Sequence, residues 1–135
     1  MALFKWDSTL SVKVKDFDTE HQKLVELVNR LHDDMKLGKA KESIAGVLDE
    51  LISYTQTHFR HEEKVMQANS YPGLLQHKAE HENLICQVAE FKQKFDTGSL
   101  TLSISIINFL SDWVKNHIMA VDKQYSDFLN SKGVK

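Results

Sequence analysis

Seven histidines and one cysteine in 135 residues pose the first chemical question. Five of the histidines stand at helical spacing from apolar residues. His21 precedes Leu24, Val25 and Val28, and His58 follows Leu51 by seven positions. His77 and His81 are four apart and lead into Leu84 and Val88, and His117 follows Trp113 by four. Glu62 lies four residues after His58. Residues three, four or seven apart share a helix face, so all six groups point to one interior. A single histidine on an apolar stripe is ordinarily a core residue. Five imidazoles and a carboxylate in one apolar core are very costly unless something binds their lone pairs. Neutral imidazole suits Zn, Cu, Fe and Ni, and a carboxylate adds Fe and Mn. Five histidines are too many for one tetrahedral zinc, while a His-x-x-x-His pair fits two ligands of one ion. Two ions would need a bridging carboxylate, and Glu62 is one candidate.

The elements that must carry these residues are helical. One proline and five glycines leave long uninterrupted stretches. Residues 1–17 lack a sustained period and are expected to form an extended arm, including Trp6, Asp7 and the solvated run from Lys13 to Asp16. Asp18 or Thr19 reads as an N-cap, with Gln22 in capping-box position. The first helix then runs to about Leu37 and stops at Gly38. The second spans about Lys41 to Ala68, before a turn from Asn69 through Pro72 and Gly73. The third spans about Leu74 to Phe95, before a turn over Asp96, Thr97, Gly98 and Ser99. The fourth begins near Thr101, with a stripe of Leu102, Ile106, Phe109, Leu110 and Trp113. Four amphipathic helices with short connections predict an all-α fold, an antiparallel up-down-up-down four-helix bundle. The chain reads as a single domain over 1–135, with the arm at 1–17 and the bundle at 18–130.

Height along the bundle tests the metal idea separately. Counted from the end where the first helix stops, the six groups lie about 21–32 Å away, at about 1.5 Å rise per residue. They share one layer. A second bridging carboxylate should lie near His117, and Asp122 is five residues on. In a straight helix five residues rotate a side chain about 140° away. Either Asp122 is not a ligand or the helix breaks between them. A break or bulge is expected there, followed by a short C-terminal helix from about Asp122 to Asn130.

His21, then His58-Phe-x-x-Glu62-Glu63, then His77-x-x-x-His81, then Trp113-x-x-Asn116-His117-Ile118-x-x-x-Asp122 resembles the full ligand signature of the hemerythrin family. The resemblance covers essentially the whole chain, and its single-domain prokaryotic form is the bacteriohemerythrin. It implies a non-haem di-iron site that binds O₂ reversibly. One iron would take His77, His81 and His117, the other His21 and His58. Glu62 and Asp122 would bridge them with a solvent-derived oxo or hydroxo group, leaving the two-histidine iron one ligand short for O₂. Leu24, Phe59, Trp113 and Ile118 match the family's apolar O₂ pocket, and core packing alone would also place them there.

Other residues and motifs narrow the reading. His32 lies three turns from His21 and reads as a core or boundary residue. His61 should face away from the layer, at the surface, and no bond from His61 or Glu63 to a ligand is evident from spacing. Cys86 is off the interior stripe. His61-Glu62 and His81-Glu82 begin like zinc-protease motifs but lack the second histidine. The Glu-x-x-His of ferritin-like sites is absent. One cysteine excludes a disulfide framework and fits a reducing compartment, so a cytoplasmic protein is expected. A net charge of −2 with dispersed lysines argues against nucleic acid. No apolar run approaches a membrane span. The expected function is O₂ storage, transport or delivery by a monomer, not an enzyme, with no catalytic residue. An O₂- or redox-sensing domain attached to a signalling module is the alternative, as is a di-iron enzyme reducing O₂, peroxide or NO. An oxygen-using enzyme is a candidate partner. Residues 131–135 carry no signalling module, which leans toward a carrier.

Overall fold

The computed structural model describes residues 5–38, 41–97 and 104–135. Among the described residues five α-helices run in chain order: α1 (Lys15–Lys36), α2 (Lys41–Ala68), α3 (Leu74–Asp96), α4 (Ile104–Asn116) and α5 (Lys123–Ser131). A π-helical segment, His117–Asp122, joins α4 to α5, and a 3₁₀ turn, Ser8–Leu10, interrupts the arm. The described residues include no strand.

Cross-helix pairs establish the antiparallel order. Glu20 of α1 meets His58 of α2, while Arg30 further along α1 meets Glu50 further back on α2. Glu63 of α2 meets His81 of α3, and Asp49 meets Lys92. His81 faces His117, and Phe91 meets Phe109 edge-on. Each partner number falls as the other rises. Leu27, Leu31, Leu48 and Ile107 pack the bundle half away from the histidines, each at most 1 % exposed. That apolar half holds the four helices together and so fixes where the polar layer must sit.

Three expectations need correction. α1 starts three to four residues earlier than the expected cap, with Val14 as its N-cap. The Asp18 carboxylate instead holds the arm: it accepts from the Ser11 hydroxyl at 2.6 Å and the Val12 N–H at 2.8 Å. Thr19 turns its hydroxyl back to the Lys15 carbonyl. Asp18 has the chemistry of a cap, but its bonds serve the arm, which ends at Val14 and is not wholly extended. Among the described side chains of α4 the buried apolar ones are Ile107, Leu110 and Val114, whereas Phe109 is 37 % exposed and Trp113 half-buried. The expected turn at Gly98 and Ser99, the helix start near Thr101, Leu102 and the Ile106 side chain lie outside the described residues. Gly38 takes a left-handed φ of 67° just past the α1 C-cap, as expected for a glycine stop. At the α2–α3 turn that conformation falls on Ser70, φ 57°, while Gly73 lets the Tyr71 ring lie where a Cβ would come within 2.9 Å of it.

The arm crosses to α5, where the Ser126 hydroxyl donates to the Val12 carbonyl and the Asn130 amide to that of Lys13. Asp18→Ala removes both acceptors that anchor the arm's far side. It should cost about 1–3 kcal/mol in urea unfolding, at about 0.5–1.5 kcal/mol per hydrogen bond.

Candidate metal centre

Seven side chains converge between the helices: His21 from α1, His58 and Glu62 from α2, His77 and His81 from α3, and His117 and Asp122 from the π segment. All are between 0 and 5 % exposed. The π segment resolves the Asp122 question. The Lys123 N–H reaches back to the Ile118 carbonyl, five residues away. With i to i+5 bonding, a residue five positions on stacks over its predecessor instead of rotating away. Asp122 and His117 therefore face the same interior, and the Asp122 Oδ1 lies 3.0 Å from the His117 Nε2.

The two carboxylates are each shared between two histidine groups. The Asp122 Oδ1 faces the Nε2 of His77 at 2.9 Å and of His117 at 3.0 Å, while its Oδ2 faces His21 at 3.0 Å. The Glu62 Oε1 faces His81 at 3.3 Å and His77 at 3.6 Å; its Oε2 faces His21 at 3.2 Å and His58 at 3.4 Å. The result is two donor sets that share both carboxylates, five residues around His77, His81 and His117, and four around His21 and His58.

The donor chemistry fits metal ions. The Nδ1–H of His58 donates to Glu20 at 2.5 Å, and that of His81 to Glu63 at 2.8 Å. These outward bonds orient the rings so that, in the neutral form that binds metal, each inward Nε2 presents its lone pair. Bare nitrogens then face carboxylate oxygens, and His81 and His117 bring Nε2 atoms within 3.1 Å of each other. The His77 Nε2, the Glu62 Oε1 and both Asp122 oxygens are buried without a hydrogen-bond partner among the described residues. With its imidazoles neutral such a cluster repels itself, and protons or metal cations are what hold it together. Neighbouring ligands on a six-coordinate first-row ion lie about 3 Å apart when bonds are about 2.1 Å, which matches these spacings.

Aromatic faces hold the imidazole planes. Phe59 stacks on His81 at 3.7 Å and Trp113 on His117 at 4.4 Å, nearly parallel. Beside the layer lies a cavity of about 30 Å³, walled by Leu24, Val28, Leu51, Phe59, Trp113 and Ile118 and reaching His21, His58, His117 and Asp122. That is room for one or two water-sized molecules. Thr55 also lines it, but its hydroxyl donates to the Leu51 carbonyl. Leu24, Phe59, Trp113 and Ile118, named from sequence, thus meet at one cavity.

Two polar residues at the layer were not anticipated from sequence. Glu20 accepts from both His58 and His61, whose Nδ1 lies 2.6 Å from it. His61 is therefore only partly exposed and tied to the layer through Glu20. Glu63, for which spacing gives no sign of such a bond, holds His81. Tyr125 donates to Glu62 from α5, and its spacing of three from Asp122, on one helix face, was the available signal. His32 is buried at the opposite half of α1 beside Asp33, as expected of a core or boundary residue, and Cys86 is exposed.

Glu20→Ala should weaken binding of cobalt(II) at the two-histidine set about 10–100-fold, and Glu63→Ala likewise at the three-histidine set, read by stepwise titration. A pH signature follows for metal-free protein. Burial pushes His21 down, but the Asp122 and Glu62 carboxylates outweigh it and lift it to about 10. The same balance lifts His77 to about 9. Burial pushes Glu62 up, yet His58, His21 and His77 hold it well below the usual carboxylate range. Asp122 is raised by burial and by Glu62 and pulled down further by His117 and His21. The raised imidazoles stabilise the fold fully below about pH 6.5 and lose that contribution as pH rises through about 9 to 10. The depressed carboxylates contribute above about pH 4.5 and fail as pH falls. Metal-free protein should therefore melt highest between about pH 4.5 and 6.5 and lose Tm toward pH 10 in chelator. Metal-loaded protein should instead gain Tm from about pH 5 to 8, because ligation needs neutral imidazole.

Comparison with known proteins agrees with this geometry. Residues 12–129 match the family model of the hemerythrin HHE cation binding domain. A bacteriohemerythrin of Methylococcus capsulatus is 36% identical over 97% of this chain and 100% of its own length. Myohemerythrin-1 of Phascolopsis gouldii is 32% identical over 90% of this chain and 91% of its own. A crystal structure of wild-type hemerythrin superposes with a TM-score of 0.91 at 36% identity, covering 95% of this chain and 98% of that one. No helix among the described residues is long and apolar enough to cross a membrane. With its helices, its buried donor sets and a family match over most of its length, the chain belongs to the hemerythrin family.

Proposed function

We propose that the protein binds O₂ reversibly at a carboxylate-bridged di-iron centre and serves to store or deliver it. The observation that carries this reading is the division of both carboxylates between a three-histidine and a two-histidine set, with an apolar cavity that touches both histidines of the smaller set and only His117 of the larger. His77, His81 and His117 would hold one iron, His21 and His58 the other, and Glu62 and Asp122 would bridge them alongside a solvent-derived oxygen. When bound, the iron pair supplies the two electrons that O₂ takes up on binding and returns on release.

The protein's own residues do the rest. One of the five donors in the larger set has no counterpart around His21 and His58, so vacant coordination falls at the smaller set, beside the cavity. Leu24, Val28, Leu51 and Ile118 exclude water there, which keeps protons from the reduced ligand and favours release over further reaction. The one hydroxyl on that wall, Thr55, is engaged with its own helix. That arrangement supports a carrier over an enzyme, which would need a positioned acid. The carboxylates bring two negative charges against the iron charge and limit the field inside the core.

Anaerobic loading with iron(II), followed by an optical titration with O₂ and then argon, tests the reading. About two irons per chain are expected, with a visible charge-transfer band that grows with O₂ and fades under argon. Direct passage to a ferric form that argon cannot reverse would oppose a carrier. His77→Ala and His117→Ala should each lose bound iron and lower the stability of the loaded protein by several kcal/mol, since metal binding is linked to folding. Either variant retaining two irons would refute the ligand assignment.

A further inference from the structure

The four carboxylate oxygens of the centre are not equivalent. Three of them, the Glu62 Oε1 and both of Asp122, have no hydrogen-bond partner among the described residues. The fourth, the Glu62 Oε2, accepts the Tyr125 hydroxyl at 2.5 Å. That same oxygen faces His21 and His58, so it belongs to the two-histidine set. Tyr125 is 0 % exposed, and its ring is enclosed by Phe17 at 5.5 Å, His77 at 5.6 Å and Tyr71 at 6.4 Å. Its helix is fixed by the π segment before it and by the Ser126 bond to the arm after it. The hydroxyl is thus aimed rigidly at one oxygen. Burial and the nearby Glu62 and Asp122 carboxylates push the phenol well above its ordinary value, so it stays a neutral donor.

We propose that Tyr125 is a positioning residue that makes the bridge unequal: its hydrogen bond draws charge from the Glu62 oxygen on the two-histidine side and so favours the reduced metal there. This rests on the di-iron reading above. A carboxylate oxygen that accepts a strong hydrogen bond has less charge to donate to a metal, and a higher-charge metal loses more by that than a lower-charge one. The consequence is a higher reduction potential at the O₂-binding position and slower loss of the centre to the ferric state. The hydrogen bond also occupies a lone pair that would otherwise swing fully onto the metal, so Glu62 keeps its bridging orientation.

Tyr125→Phe removes the hydroxyl and little else. The variant should bind cobalt(II) at the two-histidine set about three- to tenfold more tightly, because a freed carboxylate oxygen is a better donor. Its di-iron form should have a lower midpoint potential and autoxidise about three- to tenfold faster than the unaltered protein. A fluorinated tyrosine placed at position 125 by codon suppression donates more strongly and should move all three readouts the other way. An ordered series, from phenylalanine through tyrosine to fluorotyrosine, is the expected result. Unchanged cobalt affinity and potential across the series would overturn the proposal and leave Tyr125 a packing residue. Should Tyr125→Phe fail to fold, the fluorinated protein alone decides between these outcomes. The cobalt and potential measurements involve no O₂, so failure of reversible O₂ binding would remove the carrier reading without touching them.

Discussion

Seven buried polar side chains that face one another are the constraint on which this structure depends. Imidazole nitrogens and carboxylate oxygens sit 2.9–3.6 Å apart in an apolar core. In a closed protein interior that arrangement is unfavourable on its own, and it becomes favourable only with positive charge at its centre. The rest of the molecule can be understood as what holds the cluster in place meanwhile. Outward bonds from Glu20 and Glu63 orient the imidazoles, stacked Phe59 and Trp113 set the ring planes, and the far apolar half of the bundle sets the helix spacing. A site prepared in this way does not have to reorganise when it takes up its ions.

Antiparallel packing and the π segment each solve part of the geometric problem. Antiparallel helices bring the first half of α1 and α3 level with the second half of α2 and α4, so histidines far apart in sequence meet in one layer. A regular helix would still leave Asp122 pointing away. The single widened turn at His117–Asp122 brings it inward and tilts the chain into α5, which in turn delivers Tyr125. One local irregularity therefore places both a shared carboxylate and the hydroxyl that acts on the other one. The arm is tied to α5 through the Val12 and Lys13 carbonyls, which accept from Ser126 and Asn130 beyond Tyr125.

The helices and the histidine layer were legible because both rest on periodicity. His77 and His81, His58 and Glu62, and the stripes around them follow the 3.6-residue repeat, and burial enforces it. The bulge was legible by contradiction, since the five-residue step to Asp122 is incompatible with a straight helix. Local signals did less well. Asp18 has the chemistry of a helix cap, but its carboxylate finds the arm, a competition that residue type cannot decide. Phe109 has the right spacing for the core yet lies at the rim of the α3–α4 contact, because the packing partner sets how wide the buried stripe is. Glu20 is not legible from sequence, because its role depends on the lateral separation of α1 and α2, which no spacing within one helix reports.

The functional reading combines a metal-binding core with an apolar cavity on one side of it, and its weight falls on the number and placement of the ions. Anomalous diffraction at the iron edge, from crystals of iron-loaded protein, addresses that directly. Two peaks about 3–4 Å apart are predicted, one among His77, His81 and His117 and the other between His21 and His58. Each should lie within bonding distance of one oxygen of Glu62 and one of Asp122. A single peak, or two peaks that leave either carboxylate bound to one ion only, would contradict the account.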